Sequence, residues 1–289
     1  MPSRVALEDA FVLIVGVTRN CANTVNQDLA VLANSFSGAK KLGFFLVESD
    51  SSDGTGQKLQ DLSEEQENFR FRSLGTLKNE FSKRTERLAI CRNEYLAEIR
   101  DTPEYRSADY IVVADWDGVN RLLKPNAVAS CWSNDAWDVC TANQLGPYYD
   151  VWALRQAAWS PDDCWQQKEA LQARGMNEYG ARKMAVFDRM RVISPQSDWI
   201  EVDSAFGGLA IYRKDALTSA SYRGLTASGL EVCEHVSLHA DIRSRGGRIF
   251  MNPTLINCGV ADHARYATSF GRIKFFLDRC AGAIRKAIP

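Results

Sequence analysis

The chain has 289 residues, 45% hydrophobic and 25% charged, which is ordinary globular usage and enough chain for one large core. Lys and Arg number 35 against 36 Asp and Glu, so no global charge attracts nucleic acid or an acidic membrane, and any binding charge must be local. The eight cysteines lack the two-to-four-residue pairing of zinc ligands and read as thiols of a reducing compartment.

Residues 11–17, Phe-Val-Leu-Ile-Val-Gly-Val, form a continuous β-branched run, the pattern of a strand buried on both faces of a parallel sheet. The run is too short to cross a bilayer and follows acidic Glu8 and Asp9, unlike a signal peptide, so a cytoplasmic protein is expected. A helical pattern through Val25, Leu29, Leu32 and Phe36 and a second strand over residues 42–47 complete a βαβ unit. A strand at 69–74, a long helix over 79–100 and a strand at 110–114 continue the alternation. Beyond Asp117 a short helix near Asn126 and a strand near Val139 lead into an irregular aromatic stretch, residues 147–165, read as an acceptor region. Strands at 199–203 and 208–212 precede a helix over 230–245 that Gly246-Gly247 terminates, then a strand at 248–251. Residues 270–288 read as an amphipathic helix whose basic residues beside Phe275 and Phe276 could meet an anionic membrane.

Three segments carry chemistry. In Ile111-Val112-Val113-Ala114-Asp115-Trp116-Asp117, two carboxylates leave the end of a buried strand, and alternate side chains of an extended segment share a face. Such a pair can hold one hard cation together with diphosphate oxygens, or can cap the following turn. The polar loop from Val47 to Thr55 can hydrogen-bond a base and ribose through Glu48, while Ser52 or Asp53 caps a helix. Arg84, Arg87 and Arg92 do not share one helical face at 100° per residue and read mostly as a solvated surface. Gly207-Gly208 lets backbone approach a sugar or permits a bulge. Trp152, Trp159, Trp165, Tyr148 and Tyr149 could stack on a sugar, although loop aromatics more often pack beneath themselves.

In order and spacing, the loop ending Asp53-Gly54-Thr55, the helix segment Ala89-Ile90-Cys91-Arg92-Asn93 and the strand end Asp115-Trp116-Asp117 resemble the GT-A glycosyltransferases, notably family 2. The Arg-Asn-Glu and Cys-Glu-His segments are similar to those of the fungal capsule-associated α-1,3-mannosyltransferases. The resemblance implies a single α/β domain of GT-A, Rossmann-like type over residues 1–289. Its central sheet would be mixed and mostly parallel, with a nucleotide-sugar half at 8–117, an acceptor half at 118–268 and a C-terminal helix at 269–289. It implies a hexosyltransferase of polysaccharide biosynthesis moving a sugar, mannose by the fungal likeness, from a GDP- or UDP-linked donor to a glycan or glycolipid. Thr18, Arg19, Glu48, Asp50, Arg92, Asp115 and Trp116 would border that donor. Asp115, Asp117 and His263 would hold Mn²⁺ or Mg²⁺, with Asp262 the fallback for His263. Glu234-His235 matches the family's acceptor-facing Glu-Asp turn, with histidine replacing the second acid, so either residue could be the base. The alternatives are a sugar nucleotidyltransferase and a silent carbohydrate-binding protein. The first is disfavoured because Val17-Thr18-Arg19-Asn20 stands where a Gly-rich phosphate loop would be.

Overall fold

The computed structural model describes residues 4–261 together with Ala264 and Ala267. Asp262, His263 and the expected helix at 269–289 lie outside the described residues. Strands β1 (Phe11–Thr18), β2 (Lys41–Glu48), β3 (Phe69–Ser73) and β4 (Tyr110–Ala114) are parallel neighbours in the order β3-β2-β1-β4. They are joined by helices α1 (Val25–Ser35), α2 (Thr55–Glu65), α3 (Arg84–Asp101) and a one-turn α4 (Pro103–Arg106). Because these strands lie in the middle of three layers, their apolar residues face two cores. Leu13, Val15, Ile111 and Val113 pack on the α3 side, while Val12, Ile14, Val112 and Ala114 pack on the α1 side. Each such side chain contributes about 1.5–3 kcal/mol of burial, which is why the runs tolerate no polar alternation.

The second half enters through α5 (Pro125–Ala129) and β5 (Val139–Gln144), then α6 (Cys164–Ala173), α7 (Glu178–Ala185) and the strands β6 (Ile200–Val202) and β7 (Leu209–Arg213). A short α8 (Lys214–Thr218), α9 (Glu234–Ser244) and β8 (Ile249–Cys258) follow. One eight-stranded sheet results, ordered β3-β2-β1-β4-β7-β5-β8-β6. It is mixed: β7 is antiparallel to both β4 and β5, β6 is antiparallel to β8, and β5 runs parallel to β8. Strand β7 therefore joins the two halves edge to edge.

Two differences from the sequence expectations have physical reasons. Strand β8 continues to Cys258 rather than ending at Met251, because its pairing with β5 shifts register around Pro253. A proline there has no N–H for the ladder, and Asn143 Nδ2 donates to the Pro253 carbonyl at 2.9 Å instead. Helices α6 and α7 have no counterpart in the sequence reading: α6 buries only Cys164 and α7 only Ala181 and Ala185, so neither carries an apolar stripe. Side-chain caps set their starts, Asp163 accepting from Trp165 N and Gln166 N, and Asn177 from Gly180 N. Among the described residues no helix is long and apolar enough to cross a membrane. The seven described cysteines are free and buried.

Candidate active site

The carboxyl end of β4 is held from three sides. Asp115 N–H donates to Gly208 O at 2.9 Å, continuing the β4–β7 ladder by one residue. Asn120 Nδ2 donates to Asp115 O at 2.9 Å and to Gly208 O at 3.2 Å, and Thr24 Oγ1 donates to Trp116 O at 3.1 Å. Buried Asp28 of α1 accepts from Gly118 N at 3.1 Å, and its burial raises its pKa to about 6. Trp116 is buried against β1, where a Cβ on Gly16 would lie 2.3 Å from its Nε1, so glycine is the residue that admits this indole.

The polar loop after β2 organises itself. Asp50 has φ 62°, its N–H donates to Gly75 O at 2.8 Å, Oδ1 accepts from Lys78 N at 2.9 Å, and Oδ2 lies 3.3 Å from Arg87 Nε. Glu48 is buried, accepting from Ser51 N at 3.0 Å and from the Ser73 hydroxyl. Asp53 accepts from Ala22 N, Thr55 N and the Thr55 hydroxyl, and Gly54, not Ser52 or Asp53, occupies the N-cap position of α2. Glu48 thus shapes the loop from behind and does not line the cleft in front of it.

The third element is α3, and here the sequence reading needs correction. Arg84, Arg87, Leu88, Cys91 and Arg92 all line the cleft. At 100° per residue the three arginines spread over about 140° of the helix, and the length of their side chains closes the difference. Arg92 is 4% exposed, with Nε 3.0 Å from Glu234 Oε1, Nη2 3.7 Å from Asp115 Oδ1, and its guanidinium over the rings of Phe206 and Tyr222. Asn93 exchanges two hydrogen bonds with the Tyr222 backbone, at 2.8 and 2.9 Å, docking α3 on the segment that precedes α9.

At the start of α9, Glu234 takes the helix N-terminus, where an acid is favoured, and the Arg92 pair. His235 is 3% exposed, stacked on Phe206 at 3.9 Å between centroids and edge-on to Tyr222. Neither ring nitrogen has a hydrogen-bond partner among the described residues. Burial, then Arg92 and His239, hold its pKa well below the ordinary value, so it is neutral at neutral pH. His239, one turn on, bonds Ser204 Oγ and Tyr212 Oη at 2.9 Å each and is structural.

These elements surround a cleft of ≈ 300 Å³ that brings together Thr18, Arg19, Asp50, Arg92, Asp115, Trp116, Asp117, Glu234 and His235. Sequence reasoning missed Asp150 and Phe206, which also line it. Asp150 had no motif to mark it, standing in an irregular loop, while Phe206 adjoins the Gly207-Gly208 pair. Those glycines have φ of 72° and 86° and form a left-handed turn into β7 that side chains would fill, since a Cβ on Gly207 would lie 2.8 Å from Gln144 Nε2. The turn gives its first N–H to Asp150 Oδ2 at 2.9 Å. Of the loop aromatics, Tyr148 and Trp159 pack together, and Trp159 Nε1 donates to Arg189 O.

Burial, reinforced by Asp117, Asp150 and Glu234 and opposed by Arg92, raises the Asp115 carboxyl to about 7. Asp117 is exposed and accepts from Val119 N at 3.2 Å. Among the described residues no three His, Cys, Asp or Glu side chains form a metal-ligand group. Asp115 and Asp117 offer two hard oxygen donors at the strand end. This donor set fits Mn²⁺ or Mg²⁺ when substrate oxygens and water complete the shell.

The profile of the family described as Cryptococcal mannosyltransferase 1 matches residues 11–241. A mannosyltransferase, PcManGT from Pyrobaculum calidifontis, solved with GDP-Man and Mn²⁺, superposes with a TM-score of 0.51 at 15% identity, over 96% of this chain and 65% of that one. The chain thus spans somewhat less than two thirds of that protein. Staphylococcus aureus TarS 1-349 gives a TM-score of 0.45 at 13% identity, over 84% of this chain and 57% of that one. Glucosyl-3-phosphoglycerate synthase from Mycobacterium tuberculosis, bound to UDP, gives 0.41 at 15%, over 94% and 80%. No curated protein matches in sequence. The profile match covers most of the chain and includes β4, the Asp pair, α3 and the Glu-His turn, and the first superposition shows the fold, so the chain is a GT-A protein and belongs to the Cryptococcal mannosyltransferase 1 family.

Proposed function

We propose that the protein is a metal-dependent glycosyltransferase that moves mannose from a nucleotide-linked donor to a hydroxyl of a glycan or glycolipid. One observation carries the reading: the Asp115–Asp117 strand end faces the Arg84, Arg87 and Arg92 wall of α3 across a single cleft, with Glu234 and His235 beside it. Opposed carboxylates and guanidiniums suit a diphosphate, which needs a cation on one side and fixed positive charge on the other. Mannose follows from the family, and a GDP-linked donor from the likeness to PcManGT with GDP-Man and Mn²⁺. A UDP-linked donor is the alternative.

Asp115 and Asp117 would hold the cation, with His263 as a further ligand. Bound there, the ion would supply charge to the departing diphosphate. Thr18, Arg19 and Asp50, which line the same cleft, would border the donor. Arg92 locks Glu234, so His235, neutral and with neither ring nitrogen bonded among the described residues, is the better candidate to accept an acceptor proton. The low basicity imposed by its surroundings makes it a weak base. Contact of the basic segment 269–289, which lies outside the described residues, with anionic membrane belongs to the same proposal, and liposome flotation reads it.

Thermal shift with a panel of GDP- and UDP-sugars, with and without Mn²⁺, tests the assignment. A selective stabilisation by GDP-mannose that needs Mn²⁺ is expected. No shift with any nucleotide sugar would overturn the reading, and a shift without turnover would make the protein a silent binder.

A further inference from the structure

A second cavity, of ≈ 930 Å³, adjoins the first and shares with it Arg84, Tyr149, Asp150 and Trp152. Its outer walls are unlike those of the donor cleft: Trp165, Phe187, Met190 and exposed Leu230 supply apolar surface, with the Arg182 guanidinium lying over the Trp165 and Phe187 rings. Resting on the transferase reading above, we propose that this cavity receives an acceptor oligosaccharide and that Asp150 grips its terminal sugar by accepting hydrogen bonds from its hydroxyls.

Asp150 is the single carboxylate common to both cavities among the described residues, so it stands where an acceptor must meet a donor. The other acids of the donor cleft have different partners. Glu234 is paired with Arg92, Asp50 with Arg87 and Lys78 N, and Asp115 and Asp117 form the strand-end pair. In the second cavity Asp163 is spent on Trp165 N, Gln166 N, Trp152 Nε1 and Arg155. Asp150 by contrast is fixed but not saturated. Gly207 N donates to Oδ2 at 2.9 Å and Ala153 N to Oδ1 at a long 3.4 Å, which uses two of about four lone-pair sites on a carboxylate. Both bonds come from backbone, so the carboxylate is held in place while its remaining sites are available to hydroxyl donors.

The volume and wall chemistry name the ligand class. Space of this size exceeds what one terminal sugar requires, and ring faces alternating with polar groups suit sugars, whose C–H faces stack on aromatics while their hydroxyls seek acceptors.

The test compares wild type, Asp150→Asn and Leu230→Trp, using GDP-mannose with Mn²⁺ and mannose or manno-oligosaccharides of increasing length as acceptors. Donor binding by thermal shift and donor hydrolysis to water are followed in parallel. Expected are a kcat/KM that rises from mono- to trisaccharide and falls about 10- to 100-fold in Asp150→Asn, a clearly larger loss than the same variant shows in donor binding or in donor hydrolysis to water. Leu230→Trp alters an exposed position and so should fold. It should raise KM for the trisaccharide more than for mannose. If Asp150→Asn transfers normally, or loses donor binding and hydrolysis in equal measure, the proposal is overturned. An acceptor series with no length dependence and an indifferent Leu230→Trp would overturn the cavity assignment even if Asp150→Asn failed to fold. Absence of donor binding in wild type would instead remove the transferase reading beneath it.

Discussion

The two halves of this sheet reach the same cleft by different routes. On the donor side, Asp115, Asp117 and Arg92 sit at the end of a regular strand or on a regular helix, so periodicity fixes where their side chains go. In the second half, Asp150 and Phe206 sit on irregular segments, Asp150 held by two backbone N–H groups, Phe206 N by the Tyr148 hydroxyl, and both beside the left-handed Gly207-Gly208 turn. The first half can thus be read from patterns, whereas the second depends on contacts between residues such as Asp150 and Gly207, far apart in sequence.

The sharpest way to break this comparison is at the strand end. Asp117→Ala should lower Mn²⁺-dependent transfer at least about 10³-fold, the scale of losing a main electrostatic contact to the leaving group, while the melting temperature stays near wild type because the side chain is exposed. Normal turnover in that variant would dissolve the donor-side assignment.

A smaller effect is expected across the cleft. His235→Ala should reduce turnover about 10²-fold, the low end for lost acid–base catalysis because a base so depressed is weak, with donor affinity unchanged. Glu234→Ala should show itself first in stability: it strands buried Arg92, and breaking such a pair costs about 3–5 kcal/mol. Chemical denaturation measures this. A stable Glu234→Gln that loses most turnover, beside a near-normal His235→Ala, would move proton transfer to the carboxylate.

The mildest test uses pH. Asp115 has its pKa raised from 3.8 to about 7, so the folded protein keeps a proton that the unfolded chain releases. Stability contributed by that proton is complete below about pH 4 and is lost as pH rises through about 7. Cation binding runs the other way, since proton and cation compete for one carboxylate. Apparent Mn²⁺ affinity should therefore be about tenfold weaker at pH 6 than at pH 8, read by calorimetry. A flat profile would place the ion elsewhere.

How much of this was legible in the sequence follows from the same contrast. The apolar runs of β1, β2 and β4 reported their own burial, and the Asp pair reported its strand end. The glycines that stop α9 were equally plain: Gly246 has φ 85° and Gly247 N–H donates to Ile242 O. Hidden were α6 and α7, which bury too little to leave a stripe, and the second half of β8, masked by Pro253. The face count on α3 kept Arg84 and Arg87 out of the site because it located Cα–Cβ vectors and not the reach of a guanidinium. Glu48 was misplaced for the opposite reason: an acid in a promising loop turned inward to hold Ser51 and Ser73.

The two peptide units at Gly207 and Gly208 have a thermodynamic consequence. One gives its N–H to Asp150 and the other its carbonyl to the Asp115 amide, so a single turn touches a group on each substrate's side. Any shift of this turn on donor arrival is felt at Asp150 with no long pathway between. Linkage then requires that the factor by which donor changes acceptor affinity equals the factor by which acceptor changes donor affinity. The coupling runs through two backbone atoms, Gly207 N and Gly208 O, and a side chain introduced at either position would disturb it as well as the fold.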